Sequence, residues 1–146
     1  MNLQMAFHSS ENPVASSLER LGTVRHKAAG SVLFSRGDSA AGVFLIIQGR
    51  VELSLDIKNR SLLNRILGPG DIAGLPAAVS GEPYTLTATT TVDCELLFIP
   101  REAVLAALTD DPRFALALAE MLAHEVHHLR EVWQDGYDRK AGPARR

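Results

Sequence analysis

The sequence of 146 residues contains a single cysteine, Cys94. One cysteine cannot form an internal disulfide, and it cannot supply an all-cysteine iron–sulfur or zinc site. This scarcity favours a reducing, cytoplasmic location. Because Cys94 lies in a strand-like segment with no adjacent histidine or basic residue, we expect a small buried side chain rather than a nucleophile.

The sequence also lacks long apolar runs. No stretch approaches the roughly 18 apolar residues that suggest a membrane-spanning helix. Residues 1–5, MNLQM, lack the basic region and the apolar core of a secretory signal. We therefore expect one globular domain that does not associate with a membrane.

Positive charge is scarce outside the last eight residues. The chain carries 15 Lys and Arg against 17 Asp and Glu. Four of these basic residues lie in 139–146, which leaves 11 basic against 17 acidic residues, a net charge of −6, in 1–138. An acidic body lacks the electrostatic footprint of a nucleic-acid binder. We expect no specific DNA binding by this chain alone, and we interpret 136–146 as a basic flexible tail.

Short apolar runs between turn residues dominate the segment 23–99. Many short strands separated by glycine turns are typical of an antiparallel sandwich or a jelly roll. Residues 75–79 are too short for a long helix and are interpreted as a single turn between strands. The strand-like runs are Val32–Phe34, Val43–Ile47, Val51–Ile57, Leu62–Leu67, Thr85–Val92 and Glu95–Ile99.

Helical patterns flank this segment on both sides. Asn12 before Pro13 is a helix-start signal, and it predicts a helix that ends near Leu21. After Pro100 the sequence predicts a short helix over 101–108 and then a second helix over 112–133, capped by Asp111. The expected organisation is a polar leader over 1–11, one domain over 12–135 with the jelly roll at about 23–99 and helices at about 101–134, and the tail.

A framework of glycines and apolar residues runs through the chain in a distinctive order. The framework consists of Gly37-Asp38, residues 44–51 (FLIIQGRV), residues 67–74 (LGPGDIAG), Ala88, residues 94–96 (CEL) and residues 99–102 (IPRE). In this order and spacing it resembles the cyclic-nucleotide-binding domain, specifically the sensor domain of Crp/Fnr-type bacterial regulators. The resemblance covers residues 18–133 and implies a mainly β jelly roll with flanking helices and a long C-terminal helix that often dimerises.

The chain departs from the family pattern at the positions that bind the ligand. The resemblance implies a short phosphate-binding cassette, a glutamate after its glycine for the ribose, and an arginine about ten residues on for the phosphate. Here Leu75 follows Gly74, and Tyr84 falls at the arginine position. We therefore expect a non-catalytic ligand-sensing module of weak or altered specificity, with no required cofactor and with poor or no binding of cyclic nucleotides. The candidate ligand-binding residues are Gly74, Leu75, Pro76, Ala77, Ala78, Tyr84 and Thr85.

The chain also departs from the family after the predicted long helix. Transcriptional members continue with a helix-turn-helix domain of about seventy residues, whose recognition helix reads DNA. About a dozen residues follow Trp133 here. The resemblance therefore implies a sensor domain without its own DNA reader.

Apolar residues along the predicted long helix recur at steps of three and four. This heptad-like spacing predicts a homodimer seam formed by Leu118, Leu122, Glu125, Leu129 and Val132. Glu125 interrupts the seam and is costly to bury unless it is paired. Packing of the helix on its own jelly roll remains the alternative. A ligand-free dimeric adaptor also remains open as a function, since the sequence does not identify the small molecule or protein partner.

One metal-binding motif, HExxH, lies in the same helix as His124, Glu125 and His128. Histidines four residues apart on a helix can bind zinc, with the glutamate as general base, so a zinc-dependent hydrolase is a remote alternative. His124 and His127 fall on the polar face, and Glu120 and Glu131 lie four residues away from them. This pattern favours a solvated helix face, and we expect neither a metal site nor an enzyme.

Overall fold

The computed structural model describes residues 17–57 and 60–123. In these ranges, eight strands and three helices follow a 3₁₀ turn at Glu19–Leu21. The strands are β1 Thr23–Lys27, β2 Val32–Phe34, β3 Gly42–Gln48, β4 Val51–Ile57, β5 Arg60–Leu67, β6 Ile72–Ala73, β7 Thr87–Thr90 and β8 Cys94–Pro100; the helices are α1 Leu75–Ser80, α2 Arg101–Asp110 and α3 over 112–123.

The strands form two four-stranded sheets. One has the order β1-β8-β3-β6 and the other the order β2-β7-β4-β5, and neighbouring strands are antiparallel in both. Phe44 pairs with Phe98 in the first sheet, and Leu53 pairs with Ala88 in the second. Two such sheets with helices on one side form the jelly roll of cyclic-nucleotide-binding type, so the predicted fold class is confirmed.

The central strand β3 of the first sheet is buried on both faces. Successive side chains of a strand point to opposite faces, and in β3 Leu45 packs toward the helices whereas Phe44 and Ile46 pack toward the second sheet. This burial on both sides explains why β3 is apolar at nearly every position. The outer core, between the first sheet and the helices, contains Leu18, Val43, Leu45, Ile47, Leu75, Ala78, Leu97, Ile99, Val104, Phe114 and Leu118. The inner core, between the sheets, contains Phe34, Phe44, Ile46, Val51, Leu53, Leu67, Ala73, Ala77, Tyr84, Ala88, Cys94 and Leu96.

Aspartates stabilise the turns of the two Gly-Asp pairs in the framework. The side chain of Asp38 accepts a hydrogen bond from the backbone N–H of Ser35 at 3.1 Å. Asp71 accepts one from the backbone N–H of Gly68 at 2.8 Å. Short carboxylates that bind nearby backbone donors stabilise reversals of the chain. Both pairs therefore serve the jelly-roll turns.

The helices after β8 follow the predicted order. The helix expected over 101–108 is present as Arg101–Asp110. The carboxylate of Asp111 accepts hydrogen bonds from the backbone N–H groups of Arg113 at 3.1 Å and Phe114 at 3.3 Å, which confirms the predicted cap. The predicted continuation over 124–133 lies outside the described residues. Across 17–57 and 60–123, no helix has the length and apolar character needed to cross a bilayer.

The sequence did not predict β1 and β6, and it overextended one strand. β1 is an edge strand whose first four residues are exposed, so it carries no apolar alternation. β6 has only two residues. The run predicted over 85–92 contributes only Thr87–Thr90 as a strand. The helix predicted from Asn12 lies largely outside the described residues, and its last turn, Glu19–Leu21, is 3₁₀.

Candidate functional site

A six-residue helix between β6 and β7, α1, forms the candidate ligand cassette. Gly74 caps its N-terminus with φ of 92°, a conformation that favours glycine. A Cβ at Gly74 would lie 3.0 Å from Cε1 of Tyr84 and 3.2 Å from the carbonyl oxygen of Gly42. Glycine is therefore required here both for the backbone turn and for the close approach of neighbouring segments.

The cassette helix separates the two cores. Leu75 and Ala78 are buried in the outer core, whereas Ala77 is buried in the inner core. Leu75, which the resemblance assigned to the ribose-binding position, thus packs on the helix side of the first sheet. Gly74, rather than Leu75, lies against the aromatic side chains of the inner core.

Tyr84 fills the inner core beside the cassette. Its side chain is 4% exposed, and its ring stacks on Phe34 with a centroid distance of 3.8 Å and an interplanar angle of 12°. Its hydroxyl donates a hydrogen bond to the carbonyl oxygen of Gly42 at 2.6 Å and accepts one from the N–H of Gly42 at 3.2 Å. Because the buried hydroxyl is satisfied in both directions, the side chain is held at both its ring and its polar end.

The Tyr84 stack continues into a larger aromatic cluster. Phe34 and Phe44 have ring centroids 6.3 Å apart, and Phe44 and Phe98 have centroids 5.1 Å apart. The guanidinium of Arg25 lies 5.1 Å from the centroid of Phe98 at the edge of the cluster. The chain has one Trp, two Tyr and five Phe, so half of its aromatic residues gather here. The space between the sheets is occupied by the chain's own side chains.

An open groove of about 610 Å³ lies outside Tyr84. Arg36, Leu55, Glu82 and Thr85 line it together with Tyr84, so the groove contains one basic and one acidic side chain. The backbone of Tyr84 is fixed here, because its N–H donates to the carbonyl of Asp38 at 3.0 Å and its carbonyl accepts from Gly37 at 2.8 Å. The structure thus brings Tyr84 and Thr85 together at the groove, while Leu75 and Ala78 face the outer core.

Sequence reasoning missed Phe34, Gly42 and Arg101 as parts of this site. Arg101 donates from Nε to the carbonyl oxygen of Ala78 at 2.8 Å, which joins α1 to the start of α2. Arg101 belongs to the Ile-Pro-Arg-Glu stretch of the framework, but a contact between distant segments leaves no periodic signal. The sequence predicts a strand at Phe34, but nothing in it pairs Phe34 with Tyr84.

Cys94 lies within the described residues, whereas the HExxH motif lies outside them. Cys94 is a buried free thiol whose Sγ donates to the carbonyl of Arg50 at 3.3 Å, so the expected small buried side chain is confirmed. Within the described ranges, no cluster of three or more His, Cys, Asp and Glu side chains is placed to hold a metal. His124, Glu125 and His128 lie outside the described residues.

The predicted dimer seam is only partly described. Leu118 is 1% exposed and belongs to the outer core, and Leu122 is half-buried against the same core. The opposite side of α3 presents Leu116, which is 64% exposed. The remaining seam residues, Glu125, Leu129 and Val132, lie outside the described residues.

The two antiparallel sheets, the cassette between β6 and β7, and the helices after β8 define a regulatory jelly-roll domain of the type that reads cyclic nucleotides. The chain belongs to the cyclic nucleotide-binding domain family, whose model matches residues 24–111. The resemblance inferred from the glycine framework is therefore confirmed.

Similar proteins are regulators from bacteria. The chain is 28% identical over 111 residues to the HTH-type transcriptional regulator Cmr of Mycobacterium tuberculosis, covering 76% of this chain and 46% of that protein. It is 26% identical over 107 residues to the CRP-like cAMP-activated global transcriptional regulator of the same species, covering 73% and 48%. The catabolite activator protein of Thermus thermophilus has a similar structure, with a TM-score of 0.70, 26% identity, and coverage of 90% of this chain and 61% of that one. The chain spans about half the length of the curated relatives it matches.

Proposed function

We propose that this chain is a non-catalytic regulatory module whose ligand pocket has lost the usual specificity for cyclic nucleotides. The observation that carries the proposal is the position of Tyr84, which falls where the family resemblance implies the phosphate-binding arginine and fills the inner core. A family scaffold alone does not carry function to a new chain, so the proposal rests on these side chains.

The side chain at position 84 does not favour binding of a cyclic phosphate. A phosphate anion is costly to remove from water unless a cation or several donors replace its hydration. Replacing an arginine by tyrosine removes a charge-assisted hydrogen bond worth about 1.5–3 kcal/mol, which lowers affinity roughly 10- to 100-fold. The Tyr84 hydroxyl does not compensate, because its hydrogen bonds are made with Gly42.

Steric occupancy opposes the ligand as well. A nucleotide that enters the inner core has to displace the Tyr84 ring from Phe34 and break both hydrogen bonds to Gly42. The lost stacking and burial add to the missing cation. A ligand of this module is therefore expected to be less charged than a cyclic nucleotide, or to bind the open groove lined by Arg36, Glu82 and Thr85.

Calorimetric titration of the chain with cyclic AMP and with cyclic GMP tests this proposal. We expect no saturable heat at nucleotide concentrations in the tens of micromolar. Titration of each nucleotide into a Crp-type domain with the arginine present is the positive control. A dissociation constant in the low micromolar range or below for either nucleotide refutes the proposed loss of specificity.

A ligand-free dimeric adaptor is the second candidate function. The observation that favours it is the filled inner core, because a module whose pocket is occupied by its own tyrosine needs no small molecule to reach one fixed structure. In this role the chain forms a homodimer and binds a protein partner in the cytoplasm. The acidic charge of residues 1–138 supports the further proposal that the chain alone does not read DNA.

A further inference from the structure

Arg101, the first residue of α2, contacts two other segments with its own atoms. Its Nε donates to the carbonyl oxygen of Ala78 in α1 at 2.8 Å, and its backbone N–H donates to the carbonyl of Ala41 at 2.9 Å. A Cβ at Gly81 would lie 2.8 Å from a terminal guanidinium nitrogen of Arg101. The guanidinium therefore packs directly against the C-terminal end of the cassette helix.

The hydroxyl of Tyr84 binds Gly42, which is next to the residue that accepts the backbone hydrogen bond of Arg101. The carbonyl of Ala41 accepts from Arg101, and the carbonyl of the next residue, Gly42, accepts from the Tyr84 hydroxyl. Gly42 is buried, and a Cβ there would overlap the carbonyl oxygen of Ile99, so this junction is packed tightly against β8. The contacts that Arg101 and Tyr84 make therefore end on two adjacent, closely packed residues, Ala41 and Gly42.

A helix as short as α1 needs such contacts. Six residues form too few internal hydrogen bonds to offset the cost of helix nucleation, so α1 depends on its surroundings. Leu75 and Ala78 pack in the outer core and Ala77 in the inner core, but two of these three side chains are single methyl groups. The hydrogen bond from Arg101 satisfies a carbonyl at the end of this helix.

We propose that Arg101 is a positioning residue that, together with Tyr84, holds the cassette helix in place without a ligand. This inference rests on the proposed function, in which Tyr84 occupies the pocket, but it concerns the mobility of α1 rather than the affinity for a nucleotide.

Hydrogen exchange of α1 in the full chain tests the role of Arg101. The informative amides are those of Ala78 and Gly81, which donate to the carbonyls of Gly74 and Ala77. We expect Arg101→Ala to accelerate exchange at these amides about tenfold or more, since a charged hydrogen bond is lost, while amides of β3 keep their protection. Arg101→Lys keeps the charge and should retain part of the protection. Arg113→Ala, which removes an exposed arginine from α3, is the matched control and should leave exchange in α1 unchanged.

Two results overturn the inference. One is unchanged exchange of Ala78 and Gly81 in Arg101→Ala, and the other is an equal acceleration in α1 and β3, which shows general destabilisation instead of local release. Calorimetry separates this inference from the proposed function. If cyclic AMP binds tightly and Arg101→Ala still releases α1 locally, the proposed function fails and the positioning role of Arg101 is supported.

Discussion

At the scale of single residues, the proposed loss of nucleotide specificity rests on the side chain of Tyr84. It belongs to the inner core through its ring, and it binds β3 through its hydroxyl. The sequence placed Tyr84 at the arginine position of the family, and that comparison was sufficient to predict a missing cation. The sequence contained no sign that the tyrosine ring stacks on Phe34, because stacking depends on the tertiary arrangement of β2 and the segment before β7.

For Leu75, the family pattern did not predict where the side chain lies. Counting from Gly74 along the family pattern placed Leu75 at the ribose position, yet its side chain is in the outer core. The pattern fixes the order of residues but not which side of α1 faces the ligand space. That orientation is set by the left-handed conformation of Gly74 and by packing of α1 between two cores.

Two substitutions of Tyr84 test how this residue contributes to stability: one removes the hydroxyl, and the other introduces a positive charge. Tyr84→Phe keeps the ring but leaves the Gly42 carbonyl without its 2.6 Å partner, so we expect a loss of about 1–3 kcal/mol in the free energy of unfolding. Tyr84→Arg buries a cation without a partner and should lower stability further. Urea denaturation of the wild type and both variants measures these differences.

The same pair of variants tests the family alignment. We expect millimolar cyclic AMP to raise the Tm of Tyr84→Arg, because the nucleotide supplies the anion that the new arginine lacks and binds only the folded state. The Tm of Tyr84→Phe should not respond. Equal responses of the two variants, or no response of either, would show that position 84 does not face the phosphate site.

At the scale of secondary-structure elements, apolar patterning predicted the strands that are buried on one or both faces. Val51–Ile57 and Val32–Phe34 coincide with β4 and β2. The sequence did not predict β1, because β1 is an exposed edge strand that pairs with β8 alone. Strand pairing of this kind satisfies backbone groups and needs no apolar pattern.

α3 has apolar residues on two sides, one packed on the jelly roll and one exposed. Phe114 and Leu118 are buried within the chain, so these positions stabilise the packing of α3 on its own jelly roll. The exposed side of α3 carries Leu116, Ala119 and Ala123, which are spaced three and four residues apart. We propose that this side, instead of the one containing Leu118, forms the described part of a homodimer interface.

Light scattering coupled to size exclusion tests this interface. The wild type is expected to elute as a dimer at tens of micromolar, and Leu116→Asp as a folded monomer, because a charge would enter the apolar contact. Ala106→Asp, which introduces the same charge on the exposed face of α2, is the control and should remain dimeric. A wild-type monomer, or a dimer unaffected by Leu116→Asp, would contradict an interface on this side.

At the scale of the whole molecule, the two cores have different consequences for function. The outer core joins the helices to the first sheet, and the inner core, which includes Tyr84, fills the space between the two sheets. The fold class could be predicted because short strands between glycine turns are typical of a sandwich or a jelly roll, and because the glycine framework resembles that of the cyclic-nucleotide-binding domain. The filled inner core could not, since it arises from side chains that lie far apart in the sequence, such as Phe34, Phe44, Tyr84 and Phe98.

A crystal structure of the chain grown in the presence of millimolar cyclic AMP tests the central claim most directly. We predict electron density for the Tyr84 ring stacked on Phe34, with its hydroxyl on Gly42 and no nucleotide between the two sheets. Density for a cyclic nucleotide in the inner core, with Tyr84 displaced toward solvent, would contradict the account.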